Sequence, residues 1–187
     1  MAAILDLPEI RARVHLWTVA DYEKLGDDPS FRRSELLRGI IVEKMSKSPL
    51  HSTLATRIYL FLVRLLRPGL VARKEEPLRL ADSMPEPDIS VLRGTLADFG
   101  THHPAMAELV VEVAVGSSAP DRENASIYAE AGVAEYWIIL AANIEVEVYR
   151  RPESGVYREM STYGRGDAIP EVAVVGQSVA VDDLFQA

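Results

Sequence analysis

Hydrophobic positions along this chain follow three different periods, and each predicts a different kind of element. Leu109-Val110-Val111-Glu112-Val113-Ala114-Val115 and Glu135-Tyr136-Trp137-Ile138-Ile139-Leu140 are almost unbroken apolar runs of strand length, the pattern of β-strands covered on both faces. Leu54, Ile58, Phe61, Leu62 and Leu65 recur at steps of three and four, which predicts a helix over Leu50 to Leu66, opened by Ser48-Pro49 and stopped by Arg67-Pro68-Gly69. Ile144 to Tyr149 alternates apolar with acidic residues, and with a turn at Pro152 to Gly155 and a second strand from Val156 to Met160 it predicts a hairpin with one solvated face.

Shorter signals fill the intervals. Met1 to Trp17 reads as a partly extended lead-in, and Thr18 caps a short helix through Leu25 that Gly26 ends. Arg38-Gly39 is a turn between two short strands within Ser34 to Met45. Leu70 to Leu80 is extended with a break at Pro77, and Arg93 to Ala107 is a loop or short helix. A helix runs from about Asp121 to Ala131 and ends at Gly132, with Asn124, Tyr128 and Ala131 on one face that could look onto the sheet. Strand, helix and strand from Leu109 to Leu140 leave ample chain for a parallel crossover. Val172 to Val175 and Ser178 to Val181 are apolar runs of the tail, and Asp182 to Phe185 is a terminal turn. The expected fold class is α/β, a mixed central sheet flanked by helices with additional β-hairpins.

Charge changes this picture at one place. Glu112 lies inside the most apolar run, where desolvating a carboxylate costs several kcal/mol (roughly) unless a partner compensates it. Upstream, Pro85-Glu86-Pro87-Asp88 leads into the strand Ile89-Ser90-Val91-Leu92, so a second acid enters the sheet beside it. Two acids on neighbouring central strands point to a metal. Glu35 reads by itself as an edge-strand surface acid, and His51, in the first turn of the long helix, as a solvated or capping side chain. His102-His103 are adjacent and diverge on any regular element, so they make a poor ligand pair. Tyr128 and Trp137 read chiefly as core, Tyr128 with a hydroxyl that could reach the site.

Composition narrows the class. At 187 residues and 48% hydrophobic, the chain suffices for one core, and a single domain over 1–187 is expected. There is no cysteine, which excludes disulfides, thiolate metal sites and cysteine nucleophiles. No apolar run approaches a membrane span and the N-terminus lacks a secretory pattern, so the expectation is a cytoplasmic protein with no membrane partner. A net charge of -8 argues against a surface that coats nucleic acid generally but leaves room for a local groove. The only lysines are Lys24, Lys44, Lys47 and Lys74.

Five motifs together carry a resemblance: Glu35-Leu36-x-x-Gly39; Ser48-Pro49-x-His51; Pro87-Asp88-Ile89-Ser90-Val91; Leu109-Val110-Val111-Glu112-Val113; and Tyr128-Ala129-x-Ala131-Gly132-Val133-x-Glu135-Tyr136-Trp137-Ile138. In this order they resemble the bacterial Uma-two endonuclease family, over roughly Thr18 to Tyr163. That family is similar to the PD-(D/E)XK nucleases, with a restriction-endonuclease-like core. The resemblance implies a DNA endonuclease in which Asp88 and Glu112 hold Mg²⁺ or Mn²⁺, assisted by the Val113 carbonyl and by Glu35, while a water attacks the phosphodiester. A homodimer formed through the exposed hairpin or the long helix would suit cutting of both strands.

One departure stands out. The superfamily's lysine follows the glutamate by two residues, and in the resembling family it sits four residues before the helix tyrosine; those places hold Ala114 and Asn124 here. Asparagine orients a water by hydrogen bonds but supplies neither charge nor a useful titration. Arg122 and Lys74 are the candidate replacements. The alternative to a slow enzyme is a catalytically degenerate DNA- or protein-binding member of the same fold.

Overall fold

The computed structural model describes residues 8–11, 13–26 and 28–186. The beginning of the expected extended lead-in therefore lies outside the described residues, and within Pro8–Arg11 the chain forms a short helix, α1. Helix α2 (Val19–Leu25) is capped by the Thr18 hydroxyl, which accepts the Asp21 N–H, and ends at Gly26. Strands β1 (Ser34–Leu37) and β2 (Ile40–Glu43) pair antiparallel as a separate two-stranded hairpin. Arg38 and Gly39 both have positive φ there, 49° and 76°, the turn geometry whose twist matches a tight hairpin. Helix α3 (Pro49–Leu65) begins where the Ser48 hydroxyl accepts the His51 N–H, with Pro49 in its first turn.

The central sheet has six strands in the order β3-β4-β5-β6-β7-β8. They are β3 (Leu70–Lys74), β4 (Ile89–Arg93), β5 (Leu109–Ala114), β6 (Glu135–Leu140), β7 (Glu145–Glu153) and β8 (Val156–Tyr163). All neighbours are antiparallel except β5 and β6, whose parallel register pairs Leu109 with Glu135 and Glu112 with Ile138. Helix α4 (Ala119–Glu130) makes that crossover, as the strand-helix-strand pattern predicts.

Alternation along β5 divides the core. Leu109, Val111 and Val113 face α3 and the tail, while Val110 and Ala114 face α4 with Tyr128, Tyr136 and Ile138. Burying each of the larger side chains contributes about 1.5–3 kcal/mol. Glu112 falls on the α4 face by the same two-residue period. The tail departs from expectation in two ways. Its strands are β9 (Ala168–Val172) and β10 (Gln177–Ala180), and positions 173–176 form the connecting turn, since Val175 N–H and Gly176 N–H both return to the Val172 carbonyl. The terminal segment is a helix, α5 (Val181–Gln186), packed against α3. Among the described residues no helix is long and apolar enough to cross a membrane.

Candidate active site

Asp88 is the last residue before β4, and the pairing of β4 with β5 sets it beside the end of the Glu112 strand. The two residues are clasped through their backbones. Asp88 N–H donates to Glu112 Oε2 at 3.1 Å, and Val113 N–H donates to Asp88 Oδ2 at 2.9 Å. Tyr128, reaching down from α4, donates its hydroxyl to Glu112 Oε1 at 2.9 Å. Asp88 receives two further partners from the chain that follows β2. Lys47 Nζ lies 2.9 Å from Oδ1, and His51 Nε2, from the first turn of α3, lies 2.9 Å from Oδ2.

Asp88, Glu112, Lys47 and His51 border a cleft of about 700 Å³ between the β1–β2 hairpin, the start of α3, the end of β5 and the start of α4. Glu35, Asp121 and Asn124 line it together with Asp88 and Glu112. Its electrostatics are those of crowded acids in a partly dry space. Burial, then the charges of Asp88 and Asp121, raise the Glu112 carboxyl well above the ordinary range. Burial raises Glu35 to about 7, with Asp88 and Asp121 adding to it against Lys44 and Lys47. Asp121 rises to about 6 through burial and the neighbouring Asp88 charge. Burial would raise Asp88 as well, but the His51 hydrogen bond and the Lys47 ammonium outweigh it and hold its carboxyl below the usual range. Asp88 is thus the ionised member of the group and Glu112 the one that resists ionisation.

With this geometry in place, comparison with known proteins gives a family. The sequence profile described as "Uma2: Putative restriction endonuclease" matches residues 19–182. The chain belongs to the Uma2 family. Among solved structures, a crystal structure of a "putative nuclease" from Anabaena variabilis is similar to this Uma2 chain, with a TM-score of 0.73 at 20% identity, covering 90% of this chain and 97% of that one. At that identity the likeness is one of fold. No curated protein matches the sequence.

The Uma2 fold places the sequence-derived residues unevenly. Asp88, Glu112, Glu35 and Asn124 come together at the cleft, and the Val113 backbone joins them. Two readings of single residues are corrected. Glu35 is not a solvated edge acid, because β1 turns it into the cleft, and His51 is not a solvated side chain, because the first turn of α3 aims it at Asp88, leaving 14% of it exposed. Both proposed substitutes for the missing lysine are engaged elsewhere. Arg122 forms a two-pronged pair with Glu147 on β7, where Tyr149 also donates to that carboxylate, and Lys74 pairs with Glu75. His102 packs edge-on against Phe99, and neither it nor His103 lines the cleft.

Sequence reasoning missed Lys47 and Asp121. Lys47 lies in the irregular segment between β2 and α3, where no periodicity reports direction, and Asp121 looked like an ordinary helix-start acid. A signal for Lys47 did exist: it is four residues before His51, in a chain with only three other lysines.

Proposed function

We propose that this Uma2 protein is a metal-dependent DNA endonuclease that hydrolyses phosphodiester bonds in the cleft above Asp88 and Glu112. The observation that carries this reading is the clasp between these two residues, which sets two carboxylates together in the lining of one cleft, where the Asp88 charge opposes ionisation of Glu112. The donors suit Mg²⁺ or Mn²⁺: two carboxylates and the Val113 carbonyl are hard oxygens, and Mg²⁺ takes one or two carboxylates and completes its shell with water and phosphate. Among the described residues no three His, Asp or Glu side chains form a ready-made cage.

In this mechanism the bound cation would stabilise charge on the phosphoryl oxygens and lower the pKa of the attacking water. Asp88 and Glu112 would hold it, with Glu35 on the facing hairpin adding negative charge. The Tyr128 hydroxyl fixes the orientation of Glu112, and His51 with Val113 N–H fixes that of Asp88. Asn124 lines the cleft from α4, where its amide orients a water without titrating. A bond forms from the water oxygen to phosphorus, the bond to the leaving sugar oxygen breaks, the water's proton passes to solvent, and the leaving oxygen takes a proton from solvent to become a hydroxyl. No covalent enzyme intermediate is needed.

The test is nicking of supercoiled plasmid by the purified protein across Mg²⁺ and Mn²⁺ concentrations, with Glu112→Gln alongside. Metal-dependent nicking that the variant lacks supports the reading. Metal binding without nicking supports the alternative of a degenerate DNA- or protein-binding member, which the asparagine at position 124 favours.

A further inference from the structure

The cleft contains two ammonium groups, and they are differently committed. Lys44 is paired with Glu86, both side chains about a quarter exposed. Lys47 reaches Asp88 Oδ1 at 2.9 Å and Glu75 Oε1 at 3.3 Å, with 35% of its side chain exposed. The Asp88 oxygen it occupies is the one that neither the Val113 N–H nor His51 holds. Lys47 also sits on the segment between β2 and α3, outside helix and sheet, so its ammonium can shift without disturbing the core. Arg122 and Lys74 are held by other acids, and neither lines the cleft.

We propose that Lys47 is an exchangeable cation of this site: it occupies Asp88 Oδ1 when no metal is bound, gives up that oxygen to a divalent cation, and then meets the negative charge of the scissile phosphate. The phosphate half rests on the nuclease reading above; the exchange at Asp88 does not. An ammonium on Asp88 Oδ1 already neutralises part of the charge a second cation would use, and two cations a few ångströms apart repel, so metal binding and the Lys47–Asp88 contact compete. A flexible lysine stem with a compact charge suits a contact that breaks and re-forms. The group that hinders metal binding is therefore the group that assists cleavage, and its removal moves the two properties in opposite directions. A residue that only supports the fold would lower both.

Lys47→Ala and Lys47→Gln, with Lys24→Ala as an exposed charge control, are compared by calorimetric titration with Mn²⁺ in the absence of DNA and by plasmid nicking at saturating Mn²⁺. Both Lys47 variants are expected to bind Mn²⁺ about tenfold more tightly than the unmodified protein and to nick about a hundredfold more slowly. Lys24→Ala is expected to change neither. Unchanged or weaker Mn²⁺ binding by both folded Lys47 variants, checked by circular dichroism, overturns the exchange whether or not plasmid is cut. Tighter binding with nicking undiminished overturns the phosphate contact alone. Tighter binding with no nicking by any protein, the unmodified one included, upholds the exchange and overturns the nuclease reading.

Discussion

Glu112 and Tyr128 meet across the β5–α4 interface, the hydroxyl of the fully buried tyrosine donating to Oε1 of the half-buried Glu112 at 2.9 Å. The contact fixes one carboxylate of the proposed site from the core side and leaves the cleft side open. Tyr128→Phe keeps the ring and removes the donor. It is expected to cost about 1–3 kcal/mol, because a buried acceptor loses its partner. At this chain length each kcal/mol corresponds to roughly 2–4 °C in melting temperature, and thermal unfolding of the variant checks it.

Divalent metal should stabilise the folded protein through Asp88 and Glu112. With free Mg²⁺ or Mn²⁺ at about a hundred times its dissociation constant, the gain is about 2.7 kcal/mol, read as a rise in melting temperature. Glu112→Gln is expected to abolish that rise. An undiminished shift in the variant would remove Glu112 from the metal site.

The pH dependence of the metal-free protein follows from Glu35 and Asp121. Their carboxyls rise from 4.5 to about 7 and from 3.8 to about 6 on folding. The folded state therefore binds more protons than the unfolded chain between those values, and stability falls as pH increases. The contribution is fully present below about pH 4 and is lost as the pH passes the folded values near 6 and 7. Denaturant unfolding between about pH 4 and 8 should show a decline on the order of a few kcal/mol, and saturating Mg²⁺ should flatten it. A metal-free profile that rises through this window would contradict the raised carboxyls.

Asn124 lines the cleft, and a lysine there would point from the same helix face as Tyr128. Asn124→Lys is expected to increase plasmid nicking at fixed Mn²⁺, since it adds a cation beside the phosphate site. No gain at any metal concentration would argue against asparagine as the residue that limits the rate.

Arg122 follows the cleft residue Asp121 along α4, but its guanidinium is paired with Glu147 on β7. Arg122→Ala is expected to leave nicking unchanged and to lower the melting temperature, because Glu147, whose side chain is 6% exposed, loses its ion partner. A loss of nicking with an unchanged melting temperature would make Arg122 a catalytic candidate again.

Much of this was legible in the sequence. Period determined the elements: unbroken apolar runs marked the central strands β5 and β6, three- and four-residue steps marked α3, and alternation marked the β7–β8 hairpin, because side-chain direction within one element follows from local geometry. The isolated charge of Glu112 in its apolar run, and the ordered motifs around it, were sufficient to indicate the family.

The partners of those acids required the fold. Asp88 meets Lys47 and His51 only because the β1–β2 hairpin and the first turn of α3 are brought over the end of β4, and neither the irregular segment at Lys47 nor a histidine at a helix start has a period that reveals where it points. Arg122 and Lys74 looked available because sequence gives proximity along the chain; tertiary structure supplies the competing acids Glu147 and Glu75. Local order is written in short-range pattern, whereas charge pairing depends on distances across the fold, and the latter decided which cation attends this site.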